Sequence, residues 1–186
     1  MIRLLASCLL GCALSACAST NPSALGSTAE PSAAVELQPP LLPLARLAGE
    51  WEGEAEVLMP TGRRITLRQH ERVVPRLGGA VLVVEGTGRG ESGEVEFNAL
   101  GVFSVDAATG TVYLDAFTRE GRHTRVAPTL LDDGFDWQVT PEAGPRLRYQ
   151  MRFDDAGRWV ETGEVSLDGG ATWLPTFSMT LTRVGP

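Results

Sequence analysis

The feature that most constrains this fold is the alternation of apolar and polar side chains that recurs after Arg46. In residues 51–57, Trp, Gly, Ala and Val alternate with glutamate, and the same period returns in 147–153 and 177–181. Successive side chains of a β-strand point to opposite faces, so each run has one buried, or dry, face and one solvent-exposed, or wet, face. The pattern predicts an antiparallel sheet with a single buried side.

Turn signals rich in glycine and aspartate separate these runs, as at 60–62, 90–93 and 168–170. Ten hairpin-linked strands, with no long helix, predict an all-β domain whose single antiparallel meander closes, or nearly closes, into a β-barrel of about ten strands. A two-sheet sandwich is the alternative. Residues 43–47 are expected to form one short helical turn at an end. The predicted strands lie near 50–58, 63–74, 79–87, 94–104, 111–118, 122–130, 134–140, 145–153, 158–167 and 172–183.

The first seventeen residues have the parts of an export signal. Arg3 gives a positive start, and residues 4–14 are apolar but too short to span a bilayer as a helix. Leu14-Ser15-Ala16-Cys17 then resembles the lipobox of bacterial lipoproteins. We therefore expect cleavage before Cys17 and acylation of its thiol; the alternative is an ordinary signal peptide with a chance cysteine.

The sequence predicts that the chain has three parts. Residues 1–16 are the predicted lipoprotein signal peptide, 17–43 an acylated cysteine with a flexible linker rich in Ser, Ala and Pro, and 44–186 the barrel domain. The expected partners are the lipoprotein export machinery and a membrane, which the lipid on Cys17 enters. Because Ala18 rather than Asp follows the cysteine, the resemblance implies an outer-membrane anchor facing the periplasm.

The net charge and the positions of the cysteines exclude further possibilities. The formal net charge is −7, so nucleic acid is an unfavourable partner. Cys8, Cys12 and Cys17 are the only cysteines. A disulfide therefore cannot staple the domain, which must depend on its hydrophobic core.

Several short motifs, taken in order, resemble lipocalin-like, or calycin, barrels. The nearest resemblance is to bacterial lipocalin-like domains of unknown function, which implies a barrel and little about activity. One departure is Ala55, where the opening motif often has Gly. The motifs are the G-x-W-x-G opening at 49–53, Gly78-Gly79, the D-x-x-T-G turn at 106–110 and the D-G-G-x-T-W hairpin at 168–173.

Residues 166–173 also resemble the Asp-box of sialidase propellers. There the motif is a structural hairpin in which the Asp side chain ties the turn, and propellers carry several copies. A single copy in this chain therefore predicts a hairpin and not glycan hydrolysis.

Six residues are candidates for the lining of a ligand cavity, because they fall on inward phases of the predicted strands. Gln69 and Glu71 are the unusual members, since a buried carboxylate needs a partner or a raised pKa. They indicate either a polar contact inside a cavity, or a bulge or strand end that changes the phase. The six are Trp51, Gln69, Glu71, Tyr149, Met151 and Phe177.

No motif predicts a metal, a cofactor or a catalytic residue. His70 and His123 are far apart in sequence and are expected to be surface residues. Barrels resembling nitrobindin bind haem through a histidine on a late strand, and no histidine follows His123. Met151 and Met179 are expected to be core residues. No nucleophile elbow or phosphate loop occurs.

The sequence thus predicts a membrane-anchored periplasmic lipoprotein whose barrel binds a small, largely apolar ligand. The alternatives are an envelope interaction protein with a filled barrel, and an enzyme of unknown reaction. A cavity inside the barrel would favour the first of the three.

Overall fold

The computed structural model of this 186-residue chain describes residues 36–142 and 144–186. The leader, Cys17 and most of the linker lie outside these residues, so cleavage, lipidation and export remain predictions. Neither helix in the described part is long and apolar enough to cross a membrane.

Eleven strands follow an N-terminal 3₁₀ helix, Pro39–Leu47, and a second short 3₁₀ turn, Leu77–Gly79, lies between the second and third strands. The strands are β1 (Gly49–Leu58), β2 (Arg64–Arg76), β3 (Val81–Arg89), β4 (Val95–Val105), β5 (Val112–Thr118), β6 (His123–Val126), β7 (Thr129–Leu131), β8 (Gly134–Val139), β9 (Arg146–Phe153), β10 (Trp159–Ser166) and β11 (Leu174–Gly185).

All eleven strands belong to one antiparallel sheet, which curls into a half-barrel. The order across the sheet is β6-β5-β4-β3-β2-β1-β11-β10-β9-β8-β7, so sequence neighbours pair except for β6 and β7, and β1 pairs with β11. The structure confirms the predicted all-β fold class and single meander, in place of the two-sheet alternative.

The segment 122–130, predicted as one strand, is divided into β6 and β7. The break falls at Ala127 and Pro128. Proline has no backbone N–H to donate to a ladder, so a strand is interrupted there. These two short strands are the outer members of the sheet order, and in the described residues no ladder joins them.

The N-terminal helix covers one end of the half-barrel. Leu41, Leu44 and Leu47 are buried at three-residue spacing, as a 3₁₀ helix requires for a single apolar face. The helix begins at Pro39, so the short turn expected at 43–47 is the second half of a longer element. Ordered structure therefore starts before residue 44.

Trp51 joins this helix to the sheet. Its indole Nε1 donates a hydrogen bond of 2.8 Å to the Leu47 carbonyl, and its ring lies 5.7 Å from that of Phe153 and 5.9 Å from that of Trp159. The Arg183 guanidinium lies over the ring at 4.3 Å. Trp51 is buried and is part of the packing that closes this end.

The hairpin between β10 and β11 is held by side chains of the Asp-box motif. One carboxylate oxygen of Asp168 accepts from the Ser166 hydroxyl at 2.8 Å and from the Thr172 backbone N–H at 2.9 Å, and the other accepts from the Thr172 hydroxyl at 2.6 Å. These bonds hold the pKa of Asp168 well below its ordinary value. The single motif builds a turn in this fold.

Candidate ligand cavity

The concave side of the half-barrel is incompletely filled. A cavity of about 420 Å³ opens away from the helix-covered end, and a smaller one of about 140 Å³ reaches toward Leu47. Glu71, Glu161, Ala99, Ala116 and Trp137 line both. The two spaces therefore meet at a pair of carboxyl groups.

Aromatic side chains form one wall of the larger cavity. The Trp137 and Tyr149 rings are stacked with centroids 4.1 Å apart, and Phe177 meets Tyr149 edge-on at 6.3 Å. Gly163 leaves room for this group, because a Cβ there would lie 2.6 Å from Tyr149 Cε1. The wall suits flat or extended apolar groups.

Gln69 and Glu71 point into the half-barrel from the middle of β2. The register between β1 and β2 runs without interruption from Leu58 opposite Arg64 to Gly49 opposite Val73. Neither a bulge nor a strand end therefore explains their phase. Gln69 is 4% exposed and Glu71 6%, and the Gln69 amide nitrogen donates to Glu71 Oε1 at 2.6 Å.

Two glycines of β3 make space for this polar pair. Gly86 is the register partner of Glu71, and Gly88 is that of Gln69. A Cβ at Gly86 would lie 2.6 Å from Glu71 Oε1, and a Cβ at Gly88 would lie 2.7 Å from Gln69 Oε1. A side chain at either position would force the Glu71 or Gln69 head group to move, so the two glycines leave the space that these side chains of β2 occupy.

Glu161 supplies the second carboxyl group from β10. The Trp159 indole N–H donates to its Oε2 at 3.1 Å. The sheet encloses most of the side chain, and the part that remains accessible faces the two cavities. Desolvation is therefore the main influence on its pKa.

Both carboxyl groups hold protons unusually tightly. Burial raises the pKa of Glu71 from 4.5 to about 8; the Gln69 hydrogen bond opposes this rise and the charge of Glu161 adds to it. Burial likewise raises the pKa of Glu161 to about 7, against the opposing bond from Trp159. The groups interact, so they titrate as a pair that retains at least one proton at neutral pH. Burial also raises the pKa of Tyr149, which stays neutral.

The mouth of the larger cavity is formed by partly exposed side chains. Phe117 stacks on His123 with centroids 4.6 Å apart, and His123 Nε2 lies 2.9 Å from Asp115 Oδ1. Arg122 also lines the mouth; its side chain is 77% exposed, and it lies 3.6 Å from Glu120. The mouth is thus apolar with a screened positive charge at its edge.

The six candidate residues divide into two groups. Gln69, Glu71, Tyr149 and Phe177 line the larger cavity. Trp51 and Met151 belong to the packed core and border neither cavity. They share the inward phase but lie toward the end that the helix covers, and the phase of a strand does not specify height along the barrel.

Other sequence candidates lie where their patterns indicate. Met179 is buried and borders the larger cavity, and His70 lies on the outer face with Nε2 3.9 Å from Glu50. His123 is exposed at the mouth. In the residues that the structure describes, no three His, Cys, Asp or Glu side chains come together as a metal site would require.

Sequence reasoning missed Glu161 and Trp137. Glu161 shares its phase with Trp159 and Gly163, which is the same signal that identified Glu71. Trp137 lies on the six-residue strand β8, where the alternation spans too few residues to show which side chains face inward. Glu161 completes the polar end of the larger cavity, which Gln69, Glu71 and Glu161 form. Trp137 completes the aromatic wall as the stacking partner of Tyr149.

The arrangement supports specific chemistry at the polar end. A protonated carboxyl group donates one hydrogen bond, and an ionised one accepts several and attracts a cation. The pair can therefore change its charge to match what occupies the cavity. It can also exchange a proton with water near neutral pH.

Comparison with known proteins gives a fold likeness. No family model matches the chain, and no curated protein matches it. The crystal structure of Rv2717c from M. tuberculosis superposes with a TM-score of 0.60 at 17% identity, covering 80% of this chain and 99% of that one. At this identity the likeness shows a shared barrel-like fold and nothing about ligands.

Proposed function

We propose that this protein binds a small, largely apolar molecule inside its half-barrel. The observation that carries the proposal is the cavity of about 420 Å³, which has an apolar mouth, an aromatic wall and a polar end. Its size falls within the range of about 300–1,000 Å³ that is usual for small-molecule sites. A filled half-barrel acting only through its surface would not need this space.

We also propose that binding takes place in the cell envelope, with the protein anchored as a lipoprotein of lipocalin-like type. The lipobox-like run ending at Cys17 supports this address. Metabolic labelling with a palmitate analogue tests it in the native host. The wild-type chain should be labelled and Cys17→Ser should not; labelling of neither would contradict the proposal.

The binding proposal is tested with N-phenyl-1-naphthylamine, a neutral apolar dye whose fluorescence rises in dry surroundings. We expect saturable, one-to-one binding by the described domain. Ala116→Phe places a ring in the region that both cavities share and should weaken binding by about tenfold or more. Ala107→Phe, in the exposed turn after β4, is the matched control and should bind as the wild type does.

Folding of each variant is checked by its thermal unfolding. Should Ala116→Phe fail to fold, Ala99→Phe tests the same space from β4. Absence of saturable dye binding by the wild type would overturn the proposal. So would undiminished binding in folded variants at both positions.

A further inference from the structure

The charges around the cavities are strongly one-sided. Glu71 and Glu161 lie at the junction of the two spaces. Of the described residues that line them, Arg122 alone is basic, and it is an exposed residue at the mouth beside Glu120. The deep end therefore contains two acids and no cation of its own.

The groups that face the acid pair leave this imbalance in place. Gln69 donates to Glu71 from the same strand, and the Trp159 indole donates to Glu161. The Tyr149 phenol on β9 is neutral, since its pKa is raised. None of these groups neutralises a carboxylate, so an incoming positive charge would find unshared acceptors.

The cavity wall is also suited to a cation. Trp137, Tyr149 and Phe177 present aromatic rings beside the two acids. Ring faces attract ammonium groups, most strongly where water is excluded. An anionic head group would instead add a further negative charge to the pair.

We infer that the ligand of this cavity is an amphiphilic amine, whose single ammonium group lies between Glu71 and Glu161 and whose apolar body lies along the aromatic wall. The inference rests on the proposed ligand-binding function and specifies the class of ligand. It assigns to the acid pair the selection of the head group.

Binding of such an ammonium group would displace a proton. Near neutral pH the pair holds at least one proton, because burial raises both pKa values. The cation replaces that proton, which passes to the solvent, and no covalent bond forms or breaks. Affinity for the amine should therefore rise between about pH 6 and 9 and level off as the amine nears its own pKa, close to that of lysine.

The test compares three molecules that differ only in their head groups: decylamine, decan-1-ol and decanoate. Each competes with N-phenyl-1-naphthylamine for the wild-type protein. We expect decylamine to bind about tenfold or more tightly than the other two at pH 8. In Glu71→Gln and Glu161→Gln this preference, measured against decan-1-ol binding by the same variant, should shrink by a similar factor.

Glu52→Gln is the matched control, because Glu52 is exposed on β1 at the wet face. It should keep the full preference for the amine. Calorimetry in two buffers of different ionisation enthalpy provides a second readout. Decylamine should release protons to the buffer at pH 7, and decan-1-ol should release none.

The outcomes separate the two proposals. If the dye and decan-1-ol bind but decylamine shows neither preference nor proton release, the inference about the amine is wrong and the binding function stands. A preference that survives both Gln variants would likewise overturn the role of the acid pair. If the dye itself does not bind the wild-type protein, the proposed function fails as well.

Discussion

A single residue, Glu71, shows how this fold accommodates a buried acid. Its side chain is almost fully enclosed, and its protonated form avoids most of the desolvation cost that a charge would carry there. One neighbouring amide and the missing Cβ of Gly86 provide its surroundings. The cost of keeping it inside therefore depends on pH.

The residue scale gives a prediction about stability and pH. Glu71 and Glu161 bind protons more tightly in the folded than in the unfolded chain, since their pKa values rise from 4.5 to about 8 and about 7. Their contribution to stability is complete below about pH 4.5 and is lost as the pH rises through the folded-state values. The free energy of unfolding should therefore fall by on the order of a few kcal/mol between pH 5 and 9.

Urea unfolding of the wild type, Glu71→Gln and Glu52→Gln at several pH values checks this prediction. Glu71→Gln should flatten the decline because its amide has no proton to lose, while Glu52→Gln should follow the wild type. Identical profiles for the wild type and Glu71→Gln would show that Glu71 is not protonated in the folded protein at neutral pH.

The same residues show what a sequence can predict. Period-two phase identified Gln69 and Glu71 as inward, and only the unbroken β1–β2 register excluded a bulge. Glu161 obeys the same rule on β10. Trp51 and Met151 were equally inward, yet the packed end encloses them, because the height of the cavity floor depends on how far the sheet curls and on the 3₁₀ helix.

At the scale of elements, neighbouring strands share their space by register. β2 carries two polar side chains inward, and β3 carries glycine opposite each of them. On β4, Gly101 also faces the smaller cavity, but a Cβ there would lie no closer than 3.4 Å to another atom. Gly86 and Gly88 therefore leave space for the side chains of β2, whereas a Cβ would fit at Gly101.

A pair of Gly→Ala substitutions tests this distinction. Gly86→Ala should displace the Glu71 carboxyl group and destabilise the fold by about 1–3 kcal/mol, as overpacking does. Gly101→Ala should cost much less, since its methyl group makes ordinary contacts. Chemical denaturation gives both values.

Adding Glu71→Ala to each variant provides the coupling energy. The Gly86→Ala penalty should largely disappear in the Glu71→Ala background, because the colliding atoms are gone. An undiminished penalty would mean that Gly86 is needed for another reason.

The ends of strands and helices could be predicted only where a cluster of turn residues interrupts an alternating run of apolar and polar residues. The turns rich in Gly and Asp marked most hairpins, so the single meander followed from the pattern. The break at Pro128 was hidden within a short apolar run, and the full extent of the Pro39–Leu47 helix was masked by its three prolines, which suggested a linker.

At the scale of the whole molecule, one end of the half-barrel is packed and the other is open. The helix, Trp51 and its aromatic neighbours fill the first, whereas the second contains the larger cavity. The acid pair lies between them. A small molecule that enters from the mouth would therefore have its apolar body at the wall and its polar group at the pair.

Ligand binding beside the acid pair is tested most directly by carbon-13 NMR of the glutamate side-chain carboxyl groups, titrated with and without decan-1-ol. Glu71→Gln and Glu161→Gln assign the two resonances. We predict two carboxyl groups that titrate as a coupled pair near pH 8 and 7, and whose shifts move when the alcohol binds. Titration of both near pH 4.5, with no response to the alcohol, would rule out an acid pair that holds a proton in a ligand cavity.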